Sequence, residues 1–291
     1  MTILDAVGNT PLVRLESLKR GTVEVWAKLE YCNPSGSVKD RAALAIIDDA
    51  LSDGALVPGM TIVDSSSGNA GIAYAMVGAA LGYPVKIWMS ASASEERKRI
   101  IRAYGAELVL TDPALGSDGA YTALQERLAS NPACYFWADQ YGNASNWQAH
   151  ERSTGPEIWG QSLGQVTHIV AGIGTGGTLR GVATYLTDQG GGITTVGVVP
   201  DAPKHGLAGL RHLETAMAPA IYDAAYVDRE EAVSDAEARA MVERVAAAEG
   251  IYPGPSGGAA LVAAERVARE LDEGFVVAIL ADSGERYLSN E

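Results

Sequence analysis

The sequence predicts an α/β protein of two domains, each built on a mostly parallel, twisted sheet flanked by helices. Three observations predict it. Apolar runs of strand length alternate with helical periodicity almost from end to end. Those runs are close to continuously apolar, the pattern of strands covered on both faces. At 291 residues the chain also exceeds the usual reach of one hydrophobic core.

In order, "EVWAKLE" (24–30) reads as a strand, and "KDRAALAIIDDALSDG" (39–54) as an amphipathic helix stopped by Gly54. "MTIVDS" (60–65) is a buried strand and "NAGIAYAMVGAALG" (69–82) a helix of small residues suited to close packing on a sheet. "PVKIWMS" (84–90) is a strand, and "SEERKRIIRAYG" (94–105) a helix with Ser94 as N-cap and Gly105 at its end. "AELVL", "GAYTALQERLAS" and "CYFWAD" continue the alternation. Past "QYGNASN" a helix is expected from about Trp147, then the strand "VTHIVAG", a helix from about Thr178 and the strand "ITTVGVV". "DAEARAMVERVAAAEG" and "SGGAALVAAERVARELDEG" are helical, and "FVVAILA" closes as a buried strand. The two blocks divide near residue 145, which predicts a smaller, mobile domain over 37–145 and a larger one from 1–36 and 146–291.

Composition excludes several classes. Apolar residues make up 47% and charged residues 20%, as in ordinary folded proteins. A net charge of −14 argues against nucleic acid and against an anionic membrane surface as partners. The most apolar stretch is broken by Gly82, Pro84 and Lys86, so no membrane span is expected. The start of the chain lacks a basic region followed by a long apolar run, so no signal peptide is read. Cys32 and Cys134 cannot make a disulfide framework, and a reducing cytoplasm is the expected location. His150, His168, His205 and His212 have no metal-ligand spacing, so no metal is expected.

Four loops rich in glycine or serine, each read as opening a helix at a strand-to-helix junction, carry the candidate chemistry. "AGIGTGGT" (171–178) follows a strand and opens a helix. Its glycines let the backbone approach an anion, and Thr175 and Thr178 add hydroxyl donors. The same residues satisfy G-x-G-x-x-G at Gly172, Gly174 and Gly177, with Asp201 after the next strand, so a nicotinamide dinucleotide competes with a simple phosphate. "DSSSGNAG" (64–71) presents Ser66, Ser67, Gly68 and Asn69 at another helix start and suits a carboxylate. "YPGPSGGAA" (252–260) opens a helix at about Ser256. "YCNPSGSVKDR" (31–41) places Lys39 at a helix start, where the macrodipole disfavours its charge. A lysine bound through its nitrogen to an aldehyde tolerates that position better than an ammonium does. Asp40 and Arg41 beside it read as a solvated or structural pair. A lysine nucleophile, a phosphate cradle, a carboxylate loop and a hydroxyl at a further helix start fit pyridoxal phosphate holding an amino acid better than they fit a dinucleotide.

Several stretches, "GNTPLVRL", "KLEYCNPSGSVKDR", "SSGNAGI", "GIGTGGTLRG", "GPSGGA" and "DSGERYLS", together resemble the cysteine synthases of the fold-type II pyridoxal phosphate enzymes. The match runs in order from about Gly8 to the C-terminus, and "GLRHLETAMAPAIYD" (209–223) is most similar to the B-type cysteine synthases. The resemblance implies that Lys39 bonds the cofactor aldehyde and then serves as general base. It implies the cofactor 3′-oxygen at Asn69, its phosphate at Gly174, Thr175, Gly176, Gly177 and Thr178, and its pyridine nitrogen at Ser256. The substrate carboxylate falls to Ser66, Ser67, Gly68 and Asn69 with Gln140 nearby, and the β-substituent to Arg211. The implied reaction is β-replacement: an activated serine (O-acetylserine or O-phosphoserine) passes through an aminoacrylate and takes sulfur to give cysteine. A homodimer is implied, with sulfide, thiosulfate or a sulfur-carrier protein as donor.

The chain departs from the family in the carboxylate loop, where Ser65 and Ala70 stand in place of a usual proline and threonine. "SSGNAG" there resembles the serine/threonine dehydratases of the same fold, which keeps an ammonia-lyase as the alternative. Cystathionine β-synthase-type activity is a further one, and a nicotinamide-dependent oxidoreductase stands as the alternative from another class.

Overall fold

The computed structural model describes residues 1–130, 134–190 and 192–290. The first half of the chain runs β1 (Leu12–Arg14), β2 (Thr22–Leu29), α1 (Lys39–Ser52), β3 (Thr61–Ser65), α2 (Asn69–Leu81), β4 (Val85–Ser90), α3 (Glu95–Ala103), β5 (Glu107–Thr111), α4 (Gly116–Ser130) and β6 (Tyr135–Trp137). The second half runs α5 (Ser145–Ala149), α6 (Gly155–Gln161), β7 (His168–Gly172), α7 (Gly177–Asp188), β8 (Thr194–Pro200), β9 (Arg229–Val233), α8 (Asp235–Glu249), α9 (Pro255–Glu270) and β10 (Glu273–Leu280). One turn of π-helix, His150–Thr154, joins α5 to α6.

Two compact units result: Met1–Val7, Lys39–Asn146 and Arg286–Glu291 form the first, and Gly8–Val38 with Trp147–Glu285 the second. The sequence reading put all of 1–36 and 146–291 in the larger domain. In the structure both chain ends group with the first unit instead. At the N-terminal end the reason is packing, since Leu4 and Val7 lie against the core of α1 and α2. At the other end, Ser289 bonds Glu96 of α3 through its N–H (3.1 Å) and its hydroxyl (2.6 Å).

The first unit holds a four-stranded parallel sheet in the order β5-β4-β3-β6. Both faces are covered. Ile62, Ile87 and Met89 point to a core shared with α1 and α2, while Val63 and Trp88 meet Ala120 and Leu124 of α4. That two-sided burial is why β3 and β4 read as nearly unbroken apolar runs.

The second unit holds a six-stranded sheet in the order β1-β2-β10-β7-β8-β9, with only β1 antiparallel. β10 shows how its core is divided. Val276, Ala278 and Leu280 enter the cluster under α8 and α9. Phe275, Val277 and Ile279 enter the opposite cluster with α6 and α7. A strand alternates faces with period two, so "FVVAIL" is apolar throughout because both faces are dry.

Candidate active site

Within the first unit, β3 ends at Ser65 and the chain turns through 66–68 into α2. Ser66 organises this turn: its buried hydroxyl accepts from the backbone N–H of Gly68 (3.0 Å) and Gly71 (2.9 Å). Ser67 is exposed, and its carbonyl accepts from Arg97 Nη1 at 2.7 Å. Arg97 in turn lies over the Tyr287 ring, 4.4 Å from its centroid. The Asn69 amide oxygen accepts from Arg286 Nη1 at 2.6 Å, which turns the Asn69 NH2 group to the other side. Ser94, expected as an N-cap, makes no cap bond and donates to the Arg286 carbonyl at 3.1 Å. A helix start with one hydroxyl already used for bracing, a second exposed and an oriented amide can receive a carboxylate.

Gln140 lies in the same unit, beside that turn, with 5% of its surface exposed. Its Nε2 donates to the Ser65 carbonyl at 2.9 Å, and its own carbonyl accepts from Asn146 Nδ2 at 2.6 Å. Beneath both segments Asp64 is fully buried, and desolvation pushes its carboxyl up to about 7.

Lys39 is the first residue of α1 and partly buried. The two residues before it belong to the second unit and are fixed there. Ser37 bridges Asp282, and Val38 N donates to the Ala281 carbonyl at 2.8 Å, just past the carboxyl end of β10. Asp40 and Arg41 are 0% and 3% exposed, so they are internal residues, and the solvated alternative is wrong.

In the second unit, β7 runs into the 173–176 turn and then α7, whose N-cap is Gly176 with no side-chain cap bond. The first-turn N–H groups of α7 have no intrahelical acceptor and are available to an anion, apart from Gly177 N, which donates to Thr175 Oγ1 at 3.2 Å. Two positions admit only glycine. A Cβ on Gly174 would lie 2.2 Å from the Gly209 carbonyl oxygen, and Gly176 has φ of +80° with Tyr222 only 2.8 Å from its ideal Cβ. Thr178 Oγ1 lies 3.2 Å from Nε2 of His150, whose Nδ1 meets Thr154 Oγ1 at 2.9 Å within the π-helical turn.

Ser256 sits in the first turn of α9 and is 7% exposed. The loop before it follows α8, so this junction is helix-to-helix and not the strand-to-helix junction expected. It still reaches the end of β10, because Gly254 N donates to the Asp282 carbonyl at 3.0 Å and Pro253 bridges Ser283. Arg211 N donates to the Ile173 carbonyl at 2.9 Å, beside the turn, and its Nη1 to the Met217 carbonyl at 2.9 Å.

A glycine cradle at a helix start fits a phosphate, and a serine hydroxyl in the first turn of a helix fits a ring nitrogen. A lysine at another helix start fits an aldehyde. The strand–turn–helix–strand setting of β7, α7 and β8 would serve a dinucleotide equally well, so the surrounding residues and the relatives must decide. Fold and loops define the class: the model of the pyridoxal-phosphate dependent enzymes matches residues 3–282. The chain is 48% identical to a cysteine synthase of Aquifex aeolicus, over 99% of this chain and 90% of that protein. It is 41% identical to cysteine synthase B of Escherichia coli, over 99% and 94% of the two chains. Among solved structures it is similar to a cysteine synthase from Entamoeba histolytica, with a TM-score of 0.94 and 38% identity over 99% of this chain and 88% of that one. The chain belongs to the pyridoxal-phosphate dependent enzymes, on their cysteine synthase branch. Its cofactor is therefore pyridoxal phosphate, and the dinucleotide reading of the glycine loop falls.

Among the described residues no group of histidine, cysteine and acidic side chains could hold a metal. No described helix is long and apolar enough to cross a membrane. Sequence reasoning passed over Asp64, Arg97, His150 and Arg286. Each has a partner well beyond its own element (Gln140 for Asp64, Ser67 for Arg97, Thr178 for His150 and Asn69 for Arg286), and no local pattern marks such a pair.

Proposed function

We propose that this protein is a cysteine synthase, replacing the β-substituent of an activated serine with sulfur. The observation that carries the reading is Lys39 at a helix start, in a chain that also holds a glycine cradle, a serine-rich turn and Ser256 in the first turn of α9. Bound pyridoxal phosphate supplies an electron sink that acidifies the substrate α-carbon. The protein does the rest. Lys39 holds the cofactor covalently between turnovers, then takes the α-proton and later returns it. Gly174, Thr175, Gly176, Gly177 and Thr178 hold the phosphate, and Asn69 donates to the 3′-oxygen. Ser256 would hold the ring nitrogen through a neutral hydroxyl, which does not supply the charge that would keep that nitrogen protonated. Ser66, Ser67, Gly68 and Asn69, with Gln140, hold and orient the substrate carboxylate. A homodimer, and a donor that is sulfide, thiosulfate or a carrier-protein thiocarboxylate, complete the proposal on the strength of the family resemblance. Feeding O-acetylserine with sulfide tests it: cysteine is the expected product, and pyruvate with ammonia in its place would point to a dehydratase.

Ala70 is 5% exposed and packs in the apolar cluster of α1 and α2. Threonine there would have to find room for two further heavy atoms, so Ala70→Ser is the cleaner addition of a hydroxyl. It is expected to tighten O-acetylserine binding by about 1.5–3 kcal/mol where the hydroxyl reaches the carboxylate. Unchanged or weaker binding in titrations would mean the loop is shaped for another substrate.

Arg211 is assigned to an anionic β-substituent. In a chain of charge −14 a small anion needs a local cation, and a guanidinium suits a phosphate. Arg211→Ala should lower kcat/KM for O-phosphoserine about ten- to a hundredfold more than for O-acetylserine. Equal losses would show that the bond to Met217 merely braces its own loop.

A further inference from the structure

Asp64 is a buried carboxylate for which the reaction has no use. It is the fourth residue of β3, 0% exposed, at the point where the strand gives way to the serine-rich turn. Its Oδ1 accepts from Ser65 N at 2.8 Å and its Oδ2 from Gln140 N at 3.2 Å. Tyr74 of α2, itself 1% exposed, presents its hydroxyl to the same carboxylate and favours its charged form. Gln140 returns a bond from its side chain to the Ser65 carbonyl. One carboxylate therefore bridges the segment that enters Ser66–Asn69 and the segment that carries Gln140.

We infer that Asp64 is a positioning residue that sets the two carboxylate-recognising segments in register and does so only as the anion. The inference rests on the functional reading above, in which those segments hold the substrate carboxylate. Both of its hydrogen-bond donors are backbone N–H groups, which cannot become acceptors. Protonation turns one oxygen into a hydroxyl, a weaker acceptor than a carboxylate oxygen, so it weakens at least one of these bonds.

The surroundings do little to favour the charge. The titratable groups that bear on Asp64 are Tyr74 from α2, Tyr121 from α4 and Asp139 from the segment after β6, none of them cationic. Desolvation is the largest influence, and Asp139 adds to it, so the carboxyl is held at about 7. The raised value means that the neutral form is favoured in the folded protein below about 7. Loosening of the two segments is accordingly expected as pH falls through neutrality.

The test uses cofactor-loaded wild type and Asp64→Asn, with L-alanine as probe because it has no β-group to lose. Dissociation constants are read from the absorbance of the bound cofactor between pH 5.5 and 8.5. Titration of Lys39 and of the alanine amine is common to both proteins and cancels in the ratio of constants. Asp64→Asn should bind alanine at least about tenfold more weakly at pH 8.5, with the ratio approaching one at pH 5.5, where both side chains are neutral. Tyr74→Phe removes a neighbouring hydroxyl that favours the anion and should move the fall in alanine affinity to higher pH. A ratio that is flat across the range, or a midpoint unmoved in Tyr74→Phe, overturns the inference while leaving the functional reading intact. No response of the wild type to alanine at any pH overturns both.

Discussion

Lys39→Ala is expected to lose covalent attachment of the cofactor and to lose turnover by at least about 10²–10⁴-fold, the usual contribution of a positioned general base. The structure accounts for the other lysines. Lys28 is 0% exposed and committed to the Thr10 carbonyl, Glu157 and Gln161. Lys86 pairs with Glu107, and Lys98 with Glu95 and the Ala91 carbonyl. Lys19 and Lys204 are exposed on loops, away from any helix start. Lys39 alone opens a helix, where an ammonium is unfavourable and a nitrogen bonded to the cofactor is not. Borohydride reduction followed by intact-mass measurement reads the outcome. A cofactor adduct in Lys39→Ala equal to that of the wild type would sink the assignment, whatever became of activity.

The second large effect is expected at Gly176. Replacing it with aspartate combines three penalties: a side chain at φ +80°, a Cβ 2.8 Å from the Tyr222 ring, and a carboxylate at the N-cap of α7. The first two are steric and are shared by Gly176→Ala, where the left-handed backbone costs on the order of 1–2 kcal/mol. The third is particular to aspartate. An N-cap carboxylate accepts the first-turn N–H groups itself and repels a phosphate from the same place. Equilibrium dialysis of pyridoxal phosphate should therefore show Gly176→Asp weaker than Gly176→Ala by on the order of a hundredfold. Equal affinities for the two variants would mean that the phosphate is held elsewhere.

Much of this molecule was legible in its residues, and the reasons are local. The strands at 61–65, 85–90, 168–172 and 194–200 were readable because burial on both faces leaves them continuously apolar. Glycine and serine clusters at helix starts were readable because backbone approach to an anion restricts the choice of residue within a few positions. β1 and β9 were missed. The first has three residues, and the second, "REEAV", carries charge at its first three positions, the buried Glu231 included, so neither shows the apolar run that marked the others. Ser94 stands at the N-cap of α3 as expected, but its hydroxyl bonds a carbonyl 192 positions away in preference to its own helix.

By itself the sequence determined the α/β class, the alternation of elements, the loops able to take a phosphate and a carboxylate, and the lysine fit to be a nucleophile. Each of these follows from residues within one turn or one strand of each other. Only the tertiary structure decided that the chain ends pack with the first unit, that Arg286 orients Asn69, and that Asp64 ties Ser65 to Gln140 without a cation. Those are pairings between distant segments. They exist because the sheet of the first unit brings the ends of β3 and β6 side by side, and because buried polar groups must find partners wherever the fold places them.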